Sequence, residues 1–517
     1  INTFNSADSL MLTLDYDINY DKLDYLSGDP RSIGNYLYKI YSDYGFIDNS
    51  NELNDYSSNY YSPLNPPLDL DYYGNPNIID PNRWQPLKIS NFIDQSGNLI
   101  EGIPKFISPE WGNVIPFALK EEDLVIKLRD DNIYKIYHDP GPPPLLDTLN
   151  QGTLDSLFKS SFSMVSIWGS HLDRSDGVLL DISPNSIGNL NSYPSDFFEF
   201  HNIYKYFDGG DIGLGHAINP FNNLKYEEQI VPRGDYTRVL AEFWADGPDS
   251  ETPPGHWFVI LNEVNDDNNL IRKFQGIGDE LGRLEWDIKS YFLMGGAMHD
   301  AAISAWGSKG YYDYARPISV IRYLSENGQS THEDSANYNP NGFPLIEGYI
   351  ELVSLDDPLV GEDSKNLGKV KLFTWKGFSE SDSSDIEKGA GWILAEEWWP
   401  YQRPSFVTPP FAGYISGHST YSSAAATILE KLTGSEYFPG GIGEFNIPKN
   451  NFLVFEKGPS VDMKLQWATY RDAADQCALS RIWGGIHPYI DDIPAVSYTH
   501  LRAHETEADL VCRLLLE

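Results

Sequence analysis

Cysteines, long apolar runs and positive charges are all scarce in this chain of 517 residues. Two cysteines, Cys477 and Cys512, exclude a disulfide framework and leave the redox compartment open. No apolar run reaches the roughly 18 residues of a membrane-spanning helix. Lys and Arg number 37 against 75 Asp and Glu, a formal net charge of −38, which argues against nucleic acid as a partner. A small anionic substrate stays open, because a local cationic pocket can oppose the overall field.

The sequence is also unusual at both of its ends. The chain begins INTFNSAD, without an initiator Met or an apolar signal segment, so targeting cannot be read from it. After IHPYIDDIPA the composition changes, and residues 496–517 resemble translated sequencing-adapter read-through. We expect this tail to be foreign, rather than a native amphipathic helix, and assign no role to its Cys512, His500 and His504.

The commonest pattern in the sequence is the helical one, in which apolar residues recur three and four positions apart. Residues 1–80 are rich in Tyr, Asn, Asp and Ser and predict turns and short helices. The stretch GIGDELG at 276–282 does not fit the dinucleotide-binding pattern, and alternating strand patterns are scarce. The apolar spacing predicts a mainly α-helical chain. Its predicted helices lie at 146–172, 194–208, 236–244, 268–306, 316–326, 384–400, 418–433 and 464–481.

The first chemically informative segment is WGSKGYYDYARPISVIRYL, residues 306–324. Lys309 and Arg316 are seven residues apart, so a continuous helix would present both cations on one face, although Gly310 weakens that inference. Pro317 suits the first turn of a following helix, with Arg316 at the junction. Taken alone, this pattern is also typical of two solvated surface cations.

The second segment is PPFAGYISGHSTYSSAAATILEKLTG, residues 409–434. Gly413 and Gly417 permit a tight turn, and Ser416 or Ser419 can cap the helix that follows. Free backbone N–H groups, a hydroxyl and His418 would then surround the positive end of a helix dipole, which favours an anion. A helix cap without any ligand would give the same pattern.

The third segment is SRIWGGIHPY, residues 480–489. Arg481 and His487 would lie on different faces of an ideal helix, but Gly484 and Gly485 predict that the helix ends between them. Alone, His487 could be an ordinary buried histidine. Together the three segments supply fixed cations, arginine forks, a helix start and two imidazoles, which suit a tetrahedral or trigonal oxyanion.

The three motifs resemble, in the same order, the signature shared by vanadium-dependent haloperoxidases and PAP2-type acid phosphatases. The matching pieces are Lys309 to Pro317, Ser416 to His418, and Ser480 to His487, with Ile415 where many members have proline. Flanking stretches such as AEFWADGPDSETPPGHW and EYFPGGIGEF resemble the bacterial haloperoxidase branch, from about residue 80 to 492.

This resemblance implies an all-α fold of helical bundles. A loop-rich and helical half at 1–215 would pack on a catalytic bundle at 216–495, followed by the tail at 496–517. It also implies a vanadate cofactor and the oxidation of halide (bromide, chloride or iodide) by hydrogen peroxide, with small organic acceptors. We expect no membrane span and a secreted or periplasmic location; the oligomeric state stays open.

The resemblance assigns roles to individual residues. His487 would bond vanadium, His418 would act as acid and base, and Lys309 would polarise the peroxide oxygen. Trp306 and Phe411 would line the halide side, and Asp246 would pair with Arg481. The full set implied to hold the cofactor is Lys309, Arg316, Ser416, Gly417, His418, Arg481 and His487.

Other interpretations stay open at this point. In an acid phosphatase, His487 would become phosphorylated and His418 would protonate the leaving alcohol. The signature alone does not separate the two activities, because vanadate and phosphate are nearly isosteric. A non-catalytic relative on the same fold is the third reading.

Three residue pairs outside the signature also have two readings each. Glu396–Glu397 could belong to a glycosidase or to a solvated helix face. His299–Asp300 could form a catalytic dyad or a buried hydrogen-bonded pair. Asp491 and Asp492 could orient His487 or cap the next helix.

Overall fold

The computed structural model describes residues 2–149, 155–211, 213–247, 250–378 and 387–496. The chain divides into two units, one of residues 1–59 with 113–115 and the other of residues 60–112 with 116–517. The predicted boundary near residue 215 stays a prediction. The tail predicted to be foreign lies outside the described residues, apart from Val496.

The first unit contains two helices, α1 (Asn2–Thr13) and α2 (Pro30–Gly45). Asp29 caps α2 by accepting a hydrogen bond from the backbone N–H of Arg31, and Pro30 takes the first helical position, where no N–H is needed. The Arg31 guanidinium lies 4.1 Å from the centre of the Tyr20 ring, and Tyr20 also bonds Ser32. These contacts fix the turn that precedes α2.

The second unit is built on helices. They are α3 (Asp155–Trp168), α4 (Arg233–Phe243), α5 (Pro253–Asp266), α6 (Arg283–Tyr312), α7 (Pro317–Glu326), α8 (Gly417–Thr433) and α9 (Tyr470–Trp483). Residues 489–496 are helical as well.

Helix α8 lies at the centre of this bundle and packs against α5, α6 and α9. Every residue from 417 to 429 is buried, and most of them are Ser, Ala or Thr. Such small side chains let neighbouring helices approach closely. Helix α9 begins at a capping box in which Thr469 and Asp472 satisfy each other's backbone N–H groups.

Short strands lie between the helices along the chain. They are β1 (Leu68–Asp69), β2 (Leu87–Lys88), β3 (Phe92–Ile93), β4 (Leu99–Ile100), β5 (Leu124–Arg129), β6 (Asn132–Tyr137), β7 (Leu179–Asp181), β8 (Tyr204–Lys205), β9 (Gly209–Gly210), β10 (Ile230–Pro232), β11 (Ile350–Leu352), β12 (Val370–Trp375), β13 (Ala390–Leu394), β14 (Gly443–Ile447) and β15 (Met463–Trp467). Strands β11, β12 and β13 form an antiparallel sheet, and the others pair two by two, with β1–β2 parallel. The predicted helical bundle is therefore present, but the term all-α leaves out these sheets.

Three apolar clusters lie among the described residues of the second unit, and one of them contains Leu172, Ala241, Trp375 and Tyr401. The largest core runs through α3 to α9 and includes Trp244, Trp257 and Trp286. A smaller aromatic cluster contains Trp84, Phe106, Phe411 and Ala412, with Tyr61 and Trp306 packed against it. In the described part of the chain, no helix is both long and apolar enough to cross a membrane.

The predicted helices at 236–244, 316–326 and 418–433 correspond closely to α4, α7 and α8, and the one at 146–172 contains α3. The prediction at 384–400 was wrong where the chain is described, because residues 390–394 pair with β12 as strand β13. The prediction at 194–208 was also wrong, since only a short 3-10 helix, Phe197–Asn202, forms before the β8–β9 hairpin. Helix α6 begins at Arg283 rather than near 268, and α5 was not predicted.

Candidate functional site

Lys309 and Arg316 stand on either side of a break between two helices. Lys309 lies in the last turn of α6, which ends at Tyr312, and Arg316 is the cap residue before Pro317 at the start of α7. The helix is thus not continuous, but both cations reach the 411–413 segment. Lys309 Nζ donates to the carbonyls of Ala412 at 2.8 Å and Gly413 at 2.7 Å. Arg316 Nε donates to the carbonyl of Phe411 at 2.8 Å.

Ser416, Gly417 and His418 form the predicted helix start. Ser416 caps α8 through the backbone N–H of Ser419, and its own N–H donates to the carbonyl of Asp491 at 2.7 Å. A Cβ on Gly417 would lie 3.2 Å from the Trp306 ring and 3.8 Å from Lys309 Cε. Glycine at this position therefore leaves the helix N-terminus open beside Lys309.

Arg481 and His487 come from the end of α9 and the loop after it. The helix ends at Trp483, and Gly485 has φ +74°, a conformation that favours glycine. The chain turns there, and His487 comes within 3.0 Å of Arg316. Arg481 donates from Nη1 to the carbonyl of Trp244 at 2.5 Å. The doubled glycine thus performs the predicted turn.

The two nitrogens of His487 have different partners. Arg316 Nη1 donates to Nε2 at 3.0 Å, and Nδ1 lies 2.7 Å from Asp491 Oδ2. Since Nε2 accepts a hydrogen bond from a permanent donor, the neutral ring carries its proton on Nδ1 and directs it to Asp491. The lone pair of Nε2 therefore faces the cations.

Several buried side-chain nitrogens in this region have no partner among the described residues. They are Arg316 Nη2, Arg481 Nε and Nη2, and His418 Nε2. Leaving a buried donor unsatisfied costs about 1–3 kcal/mol, more for a charged group. Their parent side chains are almost fully buried, so water is not a ready substitute. Unpaired cationic donors around His487 fit an anion with several acceptor oxygens.

Burial controls the electrostatics of the site. It lowers the pKa of Lys309 well below its usual value, and Arg316 adds to that effect. Burial also lowers the pKa of Arg316 to about 10 and that of Arg481 in the same direction. The pKa values of His418 and His487 fall for the same reason, with neighbouring cations contributing. A bound anion would relieve this crowding of positive charge.

Asp246, the predicted partner of Arg481, is buried near it. The closest approach, from Arg481 Nη2 to Asp246 Oδ1, is 4.0 Å, and Oδ1 has no hydrogen-bond partner in the described structure. Burial raises the pKa of Asp246, while Arg481 and Arg316 oppose that rise. The predicted ion pair is present as a loose contact, which leaves the guanidinium free to face the site.

An aromatic wall borders the cations on one side. The rings of Trp306 and Phe411 lie 4.8 Å apart, and Lys309 Nζ lies 5.7 Å and 5.1 Å from their centres. The Arg316 guanidinium is also 5.1 Å from the Phe411 ring. Both residues predicted to line one side of the site therefore contact its cations.

Sequence reasoning missed a chain of hydroxyl groups behind Ser416. Ser419 Oγ lies 2.9 Å from Ser416 Oγ and also donates to Asp492. Asp492 accepts a second hydrogen bond from the Tyr204 hydroxyl. A hydroxyl three residues after the helix cap was the available signal, because positions i and i+3 share a helix face.

The structure gives the contacts of the three residue pairs that allowed two interpretations. Asp491 orients His487, whereas Asp492 holds Ser419. Asp300 accepts hydrogen bonds from three backbone N–H groups, at residues 117–119, which supports the buried hydrogen-bonded reading. Glu396 accepts from Lys369 Nζ at 2.8 Å and lies in the short 3-10 helix Ala395–Glu397. Within the described ranges, no three His, Cys, Asp or Glu side chains group as a metal site.

The chain is similar to known proteins in this same region. Residues 289–505 match the family model described as VCPO second helical-bundle domain. No curated protein sequence matches the chain.

Two solved structures resemble most of its length. The holo-type bacterial vanadium-dependent chloroperoxidase shares 16% identity over 98% of this chain and 78% of that one, with a TM-score of 0.57. The apo-type bacterial vanadium-dependent chloroperoxidase shares 17% identity over 98% and 79%, with a TM-score of 0.59. At these identities the likeness shows the fold.

Proposed function

We propose that this protein is a vanadate-dependent haloperoxidase. Residues 289–505 match the family model of VCPO second helical-bundle domains, which bears out the resemblance to vanadium-dependent haloperoxidases. It would oxidise bromide, chloride or iodide with hydrogen peroxide to hypohalous acid. The observation that carries the proposal is the set of buried, unpartnered donors on Arg316 and Arg481. They match the oxygens of a compact oxyanion.

The residues present fit vanadate. His487 would bond vanadium through Nε2, whose lone pair faces the site, and Asp491 would hold the ring in that tautomer. Arg316 and Arg481 would donate to the oxygens through their free guanidinium nitrogens, and Lys309 would add a compact charge. When bound, vanadate would supply a Lewis-acid centre that works without a change of oxidation state.

His418 is the residue proposed to move protons. Its Nε2 is buried without a partner, and burial lowers its pKa well below the usual value, so the ring is neutral at pH 7. A neutral imidazole facing the site can take a proton from incoming hydrogen peroxide and return it later. Its place in the first turn of α8 keeps it next to Ser416 and Gly417.

Lys309 is proposed to polarise the peroxide oxygen. The carbonyls of Ala412 and Gly413 hold its ammonium group in place, so it would not have to reorganise during the reaction. Trp306 and Phe411 exclude water from its other side and would shape the place where halide approaches. The choice among bromide, chloride and iodide is part of the proposal to be tested.

The test uses the purified chain freed of bound anions. Vanadate is added with hydrogen peroxide and bromide, and bromination of monochlorodimedone is followed beside hydrolysis of p-nitrophenyl phosphate. We expect bromination that requires vanadate. Hydrolysis that vanadate inhibits, without bromination, would instead identify an acid phosphatase, and neither activity would point to a non-catalytic relative.

A further inference from the structure

A cavity lies between α4, α5 and the β14–β15 hairpin. Its volume is about 230 Å³. None of the described residues that line it belongs to the set around His487. Five of the residues that line it are large aromatics: Phe243, Phe445, Phe452, Phe455 and Trp467. The cavity is therefore a separate space with its own chemistry.

Carboxylates are the main charged groups at this cavity. Glu242 lies at its buried end and is fully used, since it accepts from Tyr401 and from the backbone N–H groups of residues 454 and 455. Glu251 and Glu263 are exposed at the rim. Glu251 Oε2 lies 3.5 Å from His256 Nδ1, whereas Glu263 forms no ion pair with the described residues. Arg403 is the one arginine or lysine among the described lining residues. The balance favours a cation over an anion.

The size of the cavity limits the ligand. A protein cavity of about 150 Å³ is enough to hold benzene, so a space of about 230 Å³ accommodates one aromatic ring with a short side chain. Aromatic walls bind rings by offset or edge-to-face contact, and they also attract ammonium groups through the negative face of each ring. A ring inside with an ammonium group at the acidic rim would satisfy both features.

The cavity also borders the segment that holds Arg481. Ala245 lines the cavity, and the preceding residue, Trp244, gives its carbonyl to Arg481. His256, another lining residue, bonds the carbonyl of Ala245 at 3.3 Å. A ligand here would lie one backbone segment away from the anion site without touching its side chains.

We propose that this cavity binds a small aromatic organic cation, of the class of the arylalkylamines. The ring would lie among Phe243, Phe445, Phe452 and Trp467, and the ammonium group would lie beside Glu263 at the rim. The inference does not depend on the reaction at His487, because it concerns different side chains.

The test compares two probes of equal size and opposite charge. Binding of 2-phenylethylamine and of phenylacetate to the full chain is measured by isothermal titration calorimetry at pH 7. We expect one saturable site for the amine and none for phenylacetate. Absence of amine binding, or equal binding of both probes, would overturn the proposal.

Variants locate the amine within the molecule. Val454 is exposed at the rim, so Val454→Trp should block the cavity and weaken amine binding more than tenfold without unfolding the chain. Asn451→Trp, an exposed position nearby that does not line the cavity, is the matched control and should leave the affinity unchanged. Equal effects of the two variants would contradict the assignment.

Two further measurements test the role of the Glu263 charge and the location of the bound amine. Glu263→Gln should weaken amine binding about threefold, as expected for one exposed ion pair, and an unchanged affinity would contradict the role of the rim. Vanadate at saturation should not displace the amine. Displacement would place the amine at the anion site and overturn the proposal. Neither result bears on the haloperoxidase proposal, which the bromination assay tests separately.

Discussion

Arg238 and Arg316 are both buried in the second unit, but their surroundings differ completely. Arg238 donates to Asp235 at 2.7 Å and to Glu456 at 3.2 Å. Arg316 donates to the carbonyls of residues 411 and 486 and to His487, and its Nη2 has no partner in the described structure. Burial lowers the pKa of Arg238, but Tyr401 and the nearby carboxylates raise it by more, whereas burial lowers the pKa of Arg316 to about 10.

This difference separates a structural arginine from one that awaits a ligand. The carboxylates around Arg238 compensate its charge within the chain, so no external anion is needed. The nearest acidic groups to Arg316 and Arg481 are Asp491, which serves His487, and Asp246, which is loosely placed. In a chain with so many acidic residues, the buried Arg316 and Arg481 have no carboxylate within hydrogen-bond distance, which points to an anion supplied from outside.

The largest expected effect tests the two arginines directly. Arg238→Gln leaves two buried carboxylates without a counter-ion and should lower the free energy of unfolding by about 3–5 kcal/mol. Arg316→Gln removes an uncompensated charge and should cost the anion-free protein much less. Calorimetric melting with and without phosphate checks both. Phosphate should raise the melting temperature of the wild type and of Arg238→Gln but not of Arg316→Gln; equal destabilisation by the two variants would contradict the comparison.

Two buried histidines with carboxylate partners offer the next comparison. His487 lies 2.7 Å from Asp491, and His216 lies 2.9 Å from Asp472. His487→Ala removes the proposed vanadium ligand and should reduce vanadate-dependent bromination by more than about 100-fold, beyond the loss usual for supporting residues. His216→Ala, the control, should lower thermal stability but keep the activity of the folded protein. Activity retained by His487→Ala would contradict its role.

Ser419 and Ser423 lie one turn apart on α8 and are both buried. Only Ser419 links Ser416 to Asp492, so Ser419→Ala should weaken vanadate binding about 3- to 10-fold, the effect of losing one hydrogen bond. Ser423→Ala should leave it unchanged. Titration calorimetry with vanadate measures both affinities. An equal loss of affinity in the two variants would show that the effect comes from helix packing and not from the Ser416–Ser419–Asp492 contacts.

The last comparison concerns pH. Since the folded pKa of His418 is lowered, below about pH 6.5 the unfolded chain binds a proton here that the folded chain does not. The contribution of a neutral His418 to stability is therefore present above this pH and lost as pH falls. Between pH 7 and 5 the wild type should lose more stability than His418→Gln, by at most about 1.4 kcal/mol per pH unit. Equal pH dependence in both would contradict the lowered pKa.

Much of the candidate site could be predicted because each motif contains a residue that starts a helix or turns the chain. Pro317 starts α7 next to Arg316, Ser416 caps α8, and Gly485 turns the chain before His487. Each of these residues has a strong local preference that tertiary packing does not override. The order of the motifs along the chain then identified the resemblance.

Long-range pairing could not be predicted in the same way. The sequence left Asp491 and Asp492 equivalent, but neighbouring helical positions point about 100° apart, so one reaches His487 and the other Ser419. Strand β13 was taken for a helix because its identity depends on pairing with β12, which no local pattern shows. The domain boundary, the roles of the site residues and the secreted or periplasmic location stay predictions.

Vanadate binding tests the central claim most directly. Titration of the anion-free wild type by calorimetry should give one equivalent bound per chain, with binding lost in the double variant Arg316→Gln/Arg481→Gln and kept in Arg238→Gln at a temperature where it is folded. No saturable binding by the wild type, or equal binding by the double variant, would show that the unpaired cations do not hold an oxyanion.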